Sequence, residues 1–475
     1  MKVRGLGEEN FFETIKMTKA ANQHSTCEFR QRVAEEKFSV YQNAIGKTIS
    51  VELDSGRPIF FGKVAEVFIE PTYHGSYAEV KAVSASCKTD DKKETRIFQS
   101  PNKKFQEILN PERLSLKNCS VELDAKLGAK ACREIILQDD ETNFDFVKRL
   151  AAWQGRRVWV RDTWQGQCAL KVAPAADDTL NKILPEDVIS LRIGRRGQLQ
   201  TAELITRKYF ELGRLLTLKD NPCKFLIVGL EIYHERGVER IRFDLEELTE
   251  PKPAEILQTP VVKLKAKVTD ITDKENLGQI LVQFEIEDKD AKKSWLPYRT
   301  PYSGIIFLPE IGETVEVFYT RGECYAVSTL RTKTLDSEFQ NVVDKFIGNN
   351  RKQRIFFREK SLELKSAETS LFMDEKKIIL RVGENEITMD AQGITLKTGG
   401  NLTEQVGKDL SSKVGGSFTE QVGKDLSSKV GGSLTEQVGK DLSSKVGGKI
   451  ALEAKGEFKA SGSSAKIEGK SIELG

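Results

Sequence analysis

The sequence predicts a mainly β protein that ends in a rod shared by several chains. Residues 399–446 repeat one 16-residue unit three times, and each unit divides into two octads with glycine first, an aliphatic residue or Phe fourth and Val eighth. Upstream, short segments alternate polar and apolar residues between turn signals, which is typical of strands. The 475 residues are 39% hydrophobic, enough for two or three domains with their own cores.

Residues 1–255 are predicted to form the first part of the protein. Residues 48–53, 62–70 and 77–84 alternate like antiparallel strands, and Asp54-Ser55-Gly56 supplies a turn after the first of them. The alternation indicates one face packed on a core and one face in solvent.

One helix is predicted inside this region. Thr142 can cap its first turn with Asp145 three residues on, and Phe146 and Leu150 lie on one face with Trp153. Gly155 ends the helix, and a strand is expected at residues 157–161.

A proline-rich stretch at residues 250–260 marks a boundary, and residues 256–335 are predicted as a separate small domain. Alternating segments at residues 262–268, 279–286, 314–319 and 324–330 follow it. About five short strands in a segment of this length favour a small closed barrel.

Residues 336–398 are predicted to be a neck between the barrel and the repeats. Strands are expected at residues 361–364, 378–382, 386–389 and 393–396, with irregular spacing. The octad-repeat rod then occupies residues 399–475.

Apolar residues four apart fit either a helix or a strand, and glycine decides between them. Each octad opens with glycine, which costs roughly 1 kcal/mol inside a helix. A strand also places residues four apart on one face, and glycine then supplies the turn. The pattern therefore favours short strands separated by turns.

One octad has too few large apolar side chains to build a core alone, and its strand edges would stay unpaired. We expect several copies to wind together and bury these residues along a shared axis; eight stacked octads would span on the order of 40 Å. The predicted rod core and turn residues are Gly399, Leu402, Val406, Gly407, Leu410, Val414, Gly415, Phe418, Val422, Gly423, Leu426, Val430, Gly431, Leu434, Val438, Gly439, Leu442 and Val446.

Three sets of residues carry a family resemblance. The octads resemble the triple-stranded β-helix of VgrG (valine-glycine repeat) spike proteins, and residues 295–304 with 307–317 resemble the OB-fold of that family. Residues 96–109 and 141–150 are similar to its hub signatures. The loop at residues 304–306 is shorter than the family pattern.

The resemblance implies a homotrimeric spike and hub of a contractile injection system, such as a type VI secretion system or a phage-like tail. It implies a hub of β-barrel-like domains with a few helices, an OB-fold collar and a C-terminal intertwined triple-stranded β-helix. Implied partners are a hexameric inner tube protein, baseplate proteins, a PAAR-type tip protein with effector cargo, and transiently a target membrane. The tip contact is expected at Ile472, Leu474 and Gly475. Assembly is expected in the cytoplasm, followed by expulsion.

The sequence contains few signals for catalysis or for the binding of a metal, a cofactor or nucleic acid. His24 and Cys27 lack a second ligand pair, so no metal site, cofactor or catalytic residue is predicted. Seven scattered cysteines are expected to be reduced, and a net charge of +3 indicates no nucleic-acid partner. No signal peptide or membrane span is expected. The basic turn at residues 194–197 is interpreted as a solvated loop, otherwise as a baseplate contact.

Two other functions compete with the spike. A trimeric tail fibre or adhesin would use the same rod to bind a receptor, and the segment at residues 295–317 speaks against it. An envelope-degrading enzyme would need paired carboxylates or another catalytic constellation. The interval at residues 331–350 is too short to hold such a domain.

Overall fold

The structure, a computed structural model, divides into two compact units, Met1–Gln340 and Asn341–Gly475. The structure describes residues 1–6, 12–73, 75–99, 102–132, 134–164, 167–177, 179–219, 221–235, 238–250, 252–253, 261–275, 278–286, 293–300, 308–320, 323–330, 345–349, 351 and 353–473. The predicted short loop at residues 304–306, most of the interval 331–350, and Leu474 and Gly475 lie outside these ranges.

The first unit begins with six antiparallel strands, and the predicted hairpin segments are among them. Alternating burial along the strands places one side chain of each pair in the core. The elements are β1 (Lys2–Arg4), β2 (Phe12–Ala20), β3 (Thr26–Val33), a 3-10 helix (Glu35–Lys37), α1 (Phe38–Gln42), β4 (Thr48–Glu52), β5 (Pro58–Thr72) and β6 (Gly75–Ser84). The turn before β5 contains Gly56 at a φ of 80°, as the Asp-Ser-Gly signal predicts.

The next segment carries most of the helix of the described chain. It comprises a 3-10 helix (Ala85–Asp90), β7 (Lys93–Phe98), α2 (Phe105–Ile108), β8 (Cys119–Leu123), α3 (Ala125–Gly128), β9 (Ile136–Thr142), α4 (Asn143–Trp153), β10 (Arg157–Trp164) and β11 (Gln167–Ala173). The predicted helix is confirmed, because the Thr142 hydroxyl accepts from the Asp145 amide at its start. Its apolar face, including Phe146 and Leu150, is buried.

Six further strands rejoin the first sheet. They are β12 (Leu180–Lys182), β13 (Val188–Arg196, after a 3-10 helix at Pro185–Asp187), β14 (Leu199–Thr206), β15 (Leu215–Thr217), β16 (Lys224–Glu235) and β17 (Val238–Glu247). The resulting 12-stranded sheet runs β1-β4-β5-β6-β3-β2-β16-β17-β14-β13, and β15 pairs with β16 and β12.

This sheet has an internal twofold pattern about the β2–β16 pair. On one side the order is β2, β3, β6, β5, and on the other side it is β16, β17, β14, β13, with every neighbour antiparallel. The β2–β3 hairpin therefore corresponds to β16–β17, and the β5–β6 hairpin to β13–β14. One continuous core lies across both halves.

The predicted small barrel is present and closed. It consists of β18 (Val262–Asp270), β19 (Gln279–Phe284), β20 (Ser294–Pro297), β21 (Thr314–Thr320) and β22 (Glu323–Leu330), in the order β20-β19-β18-β21-β22. A parallel bridge between Tyr298 and Ala326 joins the two ends, and the Arg299 amide donates to the Ala326 carbonyl at 2.8 Å.

The barrel packs on the β7–β9 pair of the segment from Ala85 to Ala173, which we call the helical segment. Ile97 and Leu137 lie in the barrel's own apolar core. The Tyr319 hydroxyl donates to the Ile135 carbonyl at 3.1 Å and accepts from the Leu137 amide at 3.3 Å. Hydrogen bonds and apolar packing therefore fix the barrel to the helical segment.

The second unit opens with a seven-stranded antiparallel meander. Its strands are β23 (Lys345–Gly348), β24 (Gln353–Phe357), β25 (Ser361–Ser366), β26 (Thr369–Asp374), β27 (Lys377–Val382), β28 (Asn385–Asp390) and β29 (Gly393–Lys397), each paired with the next. The expected strands exist, but the expected irregular spacing is wrong. Short turns follow one another at regular intervals because Asp374 and Asp390 each accept amide hydrogen bonds from the next residues.

Residues 398–473 contain no helix and no strand paired within the chain. The chain bends at the first two residues of every octad from Gly399 to Gly447, and six residues separate one bend from the next. The helical alternative is thus excluded.

Candidate assembly surfaces

One face of the meander is almost entirely apolar. Strand register aligns its side chains in two columns that cross all seven strands, interrupted only by Lys345 at one end. The first column is Ile347, Ile355, Leu364, Leu371, Leu380, Ile387 and Leu396, and the second is Phe357, Leu362, Met373, Ile378, Met389 and Ile394. We call these thirteen residues the meander face.

Within the part of the chain that the structure describes, most of the meander face is open to solvent. Eight of its residues are large, exposed hydrophobic side chains, and Ile394 is the most exposed at 73%. On the other face, the middle column is mixed: Phe346, Phe356, Phe372 and Ile379 lie beside Glu363, Thr388 and Thr395. The next column on that face carries charged and hydroxyl residues such as Lys365, Ser370 and Arg381, which are paired in register. A single-layer sheet with one apolar face requires a partner layer.

These residues were not predicted as a site, although the sequence contains a signal for them. Residues 371 and 373, 378 and 380, 387 and 389, and 394 and 396 are apolar pairs two apart, the period of a strand face. The turns between them contain Asp or Gly. When the strands are aligned on these apolar pairs, the two columns of the meander face follow.

The octad side chains are equally uncovered. The fourth-position residues Leu402, Leu410, Phe418, Leu426, Leu434 and Leu442 are 65–77% exposed, and the eighth-position residues Val406, Val414, Val422, Val430, Val438 and Val446 are 44–49% exposed. Ile472 is also exposed. The single chain thus brings none of the predicted rod core residues into a core.

The octad glycines are not required by the fold of their own chain. None of Gly407, Gly415, Gly423, Gly431 and Gly439 has a φ in the left-handed region, and a Cβ added at any of them would meet no atom of the chain within 4 Å. Only Gly399 would meet its own chain, at the Glu384 side chain. If these positions need glycine, the reason lies in close approach by another molecule.

In the first unit, the two corresponding hairpins project apolar residues into solvent. On β5–β6, Phe68 and Tyr73 are 63% and 99% exposed. On β13, Ile189, Leu191 and Ile193 are exposed, and among the described residues no strand pairs with its outer edge.

The basic residues Arg195 and Arg196 end strand β13 and do not lie in a loop, which corrects that expectation. They pair with Gln200 and Leu199 across the hairpin and are exposed. Only Gly197, at a φ of 64°, belongs to the turn.

His24 takes part in a structural network that does not include Cys27. Its Nδ1 lies 2.7 Å from Ser86 Oγ, its Nε2 lies 2.9 Å from Asp90 Oδ2, and its ring packs on Phe144 with centroids 4.0 Å apart. Ser86 is fully buried. Burial raises the pKa of the Cys27 thiol to about 12. Across the described ranges, no three His, Cys, Asp or Glu side chains are grouped so as to hold a metal ion.

The barrel's outer wall stacks cations on aromatic rings in a way that the sequence did not indicate. Lys263 lies over Phe318 at 5.1 Å, Phe318 stacks on Tyr325 at 5.8 Å, and Arg299 lies over Tyr325 at 3.6 Å. Strand register brings together residues that are far apart in sequence. These side chains cover one another's faces, so the stack is accounted for within the chain.

The described segments contain no helix with the length and apolar character needed to span a bilayer.

The fold defines a class of protein: a mainly β protein with a 12-stranded sheet, a small five-stranded barrel and a C-terminal octad repeat. Residues 264–328 match the family described as the type VI secretion system/phage-baseplate injector OB domain. No curated protein matches the chain by sequence. The fold of the chain is similar to that of solved VgrG complexes, in line with the resemblance seen in the sequence.

Solved structures share this fold at low identity. The E. coli c3393 protein, described as a component of the type VI secretion system with structural similarity to T4 bacteriophage tail proteins gp27 and gp5, aligns with a TM-score of 0.51 at 14% identity and covers 70% of this chain and 100% of that chain. The lidded Francisella PdpA–VgrG complex aligns with a TM-score of 0.54 at 10% identity, over 81% and 76% of the two chains. The lidless PdpA–VgrG complex gives 0.53 at 10% identity, over 81% and 93%.

Proposed function

We propose that the protein is the homotrimeric spike and hub of a contractile injection system. The observation that carries this proposal is the uncovered meander face, which continues into octads whose apolar side chains are all exposed. Identical chains would each bring the same face to a common axis, and such closure leaves no sheet edge or apolar surface in water. The number three comes from the VgrG resemblance.

In this assembly the octads would pair strand to strand between chains. Six-residue segments between bends that lack a partner in their own chain could find one in a neighbour. The glycines, which meet no atom of their own chain, would permit the close approach of neighbouring backbones. The result would be a stiff rod that concentrates the force of contraction on a target membrane.

The two corresponding hairpins support docking of a hexameric inner tube. Each chain carries one apolar tip at Phe68 and Tyr73 and a second at Ile189 to Ile193. Three chains would therefore present six related hairpins, which matches the symmetry of a hexameric ring. Baseplate proteins would contact the remaining hub surface.

The distal end of the rod would bind a PAAR-type tip protein and, through it, effector cargo. Ile472 is exposed near that end, and Leu474 and Gly475 remain part of the predicted contact. Assembly would take place in the cytoplasm before expulsion. We assign no catalytic activity, cofactor or nucleic-acid partner to the protein.

The proposal is tested by reconstitution with the tube protein of the same system. The purified spike should bind tube hexamers through the hub, and Phe68→Glu combined with Ile193→Glu should abolish binding while the oligomeric state is unchanged. Ser190→Glu, on the other side of β13, is the matched control. Unchanged tube binding by the double variant, or binding of a cell-surface glycan by the distal end alone, would favour the fibre function instead.

A further inference from the structure

Two buried cysteines lie opposite each other on neighbouring strands of the helical segment. Strands β8 and β11 run parallel, and Cys119 and Cys168 are partners in their register. Partners in register place their side chains on the same face of a sheet. The two side chains are 7% and 4% exposed and belong to one apolar core.

The separation of the strands suits a covalent bond between these residues. Adjacent strands lie about 4.8 Å apart, and disulfides join Cα atoms that are about 4.4–6.8 Å apart. A hydrogen bond with the Cys119 thiol, together with burial, raises the pKa of the Cys168 thiol. The spacing of neighbouring strands therefore lies within the range of Cα separations that a disulfide spans.

We propose that Cys119 and Cys168 form a disulfide when the protein meets a two-electron oxidant, and that this pair is a redox modification site of the helical segment. Both S–H bonds break and one S–S bond forms, so two protons and two electrons leave the pair. When the oxidant is an azo compound such as diamide, its N=N group accepts the two protons and the two electrons and becomes a hydrazine. This inference is independent of the proposed function.

The bridge would close a covalent loop around the centre of the segment. The chain between the two cysteines contains β9, α4 and β10, and these elements form much of the local core. Cross-linking restricts the unfolded chain and thereby stabilises the folded one. Oxidation should therefore raise the resistance of this segment to denaturant.

A third thiol provides a competing bridge. Cys87 is half-buried in the 3-10 helix Ala85–Asp90, which packs against β11, the strand that carries Cys168. It does not share a strand register with either cysteine. A Cys87–Cys168 bridge would overturn the assignment.

The test uses the full chain in both redox states. Protein treated with diamide is unfolded, labelled with N-ethylmaleimide and examined by mass spectrometry. We expect two of the seven thiols to escape labelling, a cross-linked peptide joining Cys119 to Cys168, and a higher guanidinium midpoint that dithiothreitol reverses.

Two variants make the result specific. Cys119→Ser should keep all six remaining thiols reactive after diamide treatment. The Cys324→Ser variant, which lacks a barrel cysteine, should still lose two reactive thiols after diamide treatment. Labelling of all seven thiols in the oxidised wild-type protein, or a bridge to any other cysteine, contradicts the proposal.

Discussion

The ammonium group of Lys19 donates to Asp162 Oδ1 at 2.5 Å, and both side chains are almost completely buried. Lys19 lies on the central strand β2, and Asp162 lies on β10 of the helical segment. Burial alone would lower the pKa of Lys19, but the charge and hydrogen bond of Asp162, together with Tyr209, outweigh it and raise that pKa. Lys19 therefore remains protonated, and its bond to Asp162 joins the sheet to the helical segment.

Breaking this pair should strongly destabilise the first unit. Lys19→Met leaves a buried carboxyl group whose Oδ2 has no hydrogen-bond partner among the described residues, and such a change costs about 3–5 kcal/mol. The double variant Lys19→Met/Asp162→Asn should cost less than the sum of the single variants. Urea unfolding of the four proteins measures the coupling.

The exposed pair Lys93–Asp140 is the control for the buried pair. Lys93→Ala should cost less than about 1 kcal/mol, because exposed ion pairs contribute little. Equal losses at the two sites would contradict the structural role of the buried pair.

Tyr319 should couple the barrel to the helical segment in a pH-dependent way. Burial raises the pKa of Tyr319 to about 12, although the Leu137 amide opposes this shift. Because the folded pKa lies above the unfolded value near 10, the folded state retains a proton that the unfolded state loses. The stability from this group is complete below pH 10 and falls as the pH rises toward 12.

Tyr319→Phe should lower the free energy of unfolding by about 1–2 kcal/mol at pH 8, because it removes two hydrogen bonds. The difference from wild type should shrink between pH 9 and pH 11. Chemical denaturation across this range tests the prediction, and a constant difference would show that Tyr319 does not titrate as described.

Adjacent residues on opposite faces of β26 should have opposite effects on assembly. Leu371→Asp places a charge in the centre of the meander face and should prevent chain association. Ser370→Asp places the same side chain on the other face, between Lys365 and Arg381, and should leave association intact. Analytical ultracentrifugation of both variants measures the result, and dissociation of neither would argue against the meander face as an interface.

The octad glycines should matter only between chains. A Cβ added at Gly423 meets no atom of its own chain within 4 Å, so we expect the effect of Gly423→Val to come from neighbouring copies. We expect it to lower the melting temperature of the rod or prevent association. Ser427→Val adds the same side chain on the face opposite Leu426 and serves as control. Full assembly and unchanged melting of the glycine variant would remove the proposed reason for glycine.

Local sequence signals predicted the elements whose causes are local. The Thr142 cap and the Phe146/Leu150 face give α4, and the Asp-Ser-Gly turn separates β4 from β5. The barrel strands were recognisable from alternation. Each of these features depends on residues only a few positions apart.

Pairing between strands that are far apart in the chain could not be predicted from local sequence signals. The β2–β16 junction joins Lys19 to a strand more than 200 residues later, and the Lys19–Asp162 pair depends on that arrangement. Similarly, the meander face became visible only through strand register, although its apolar pairs are local. The role of the octad residues could not be tested either, because their exposed side chains find no packing partner in the single chain.

Sedimentation equilibrium of the 475-residue protein at micromolar concentration is the most direct test of the homotrimer. A homotrimer gives a single species of roughly 160 kDa, three times the chain mass of 53.4 kDa, and the mass falls toward that of one chain in Leu371→Asp. A stable species of one chain in wild type, with the meander face and octads still exposed to solvent, would contradict it.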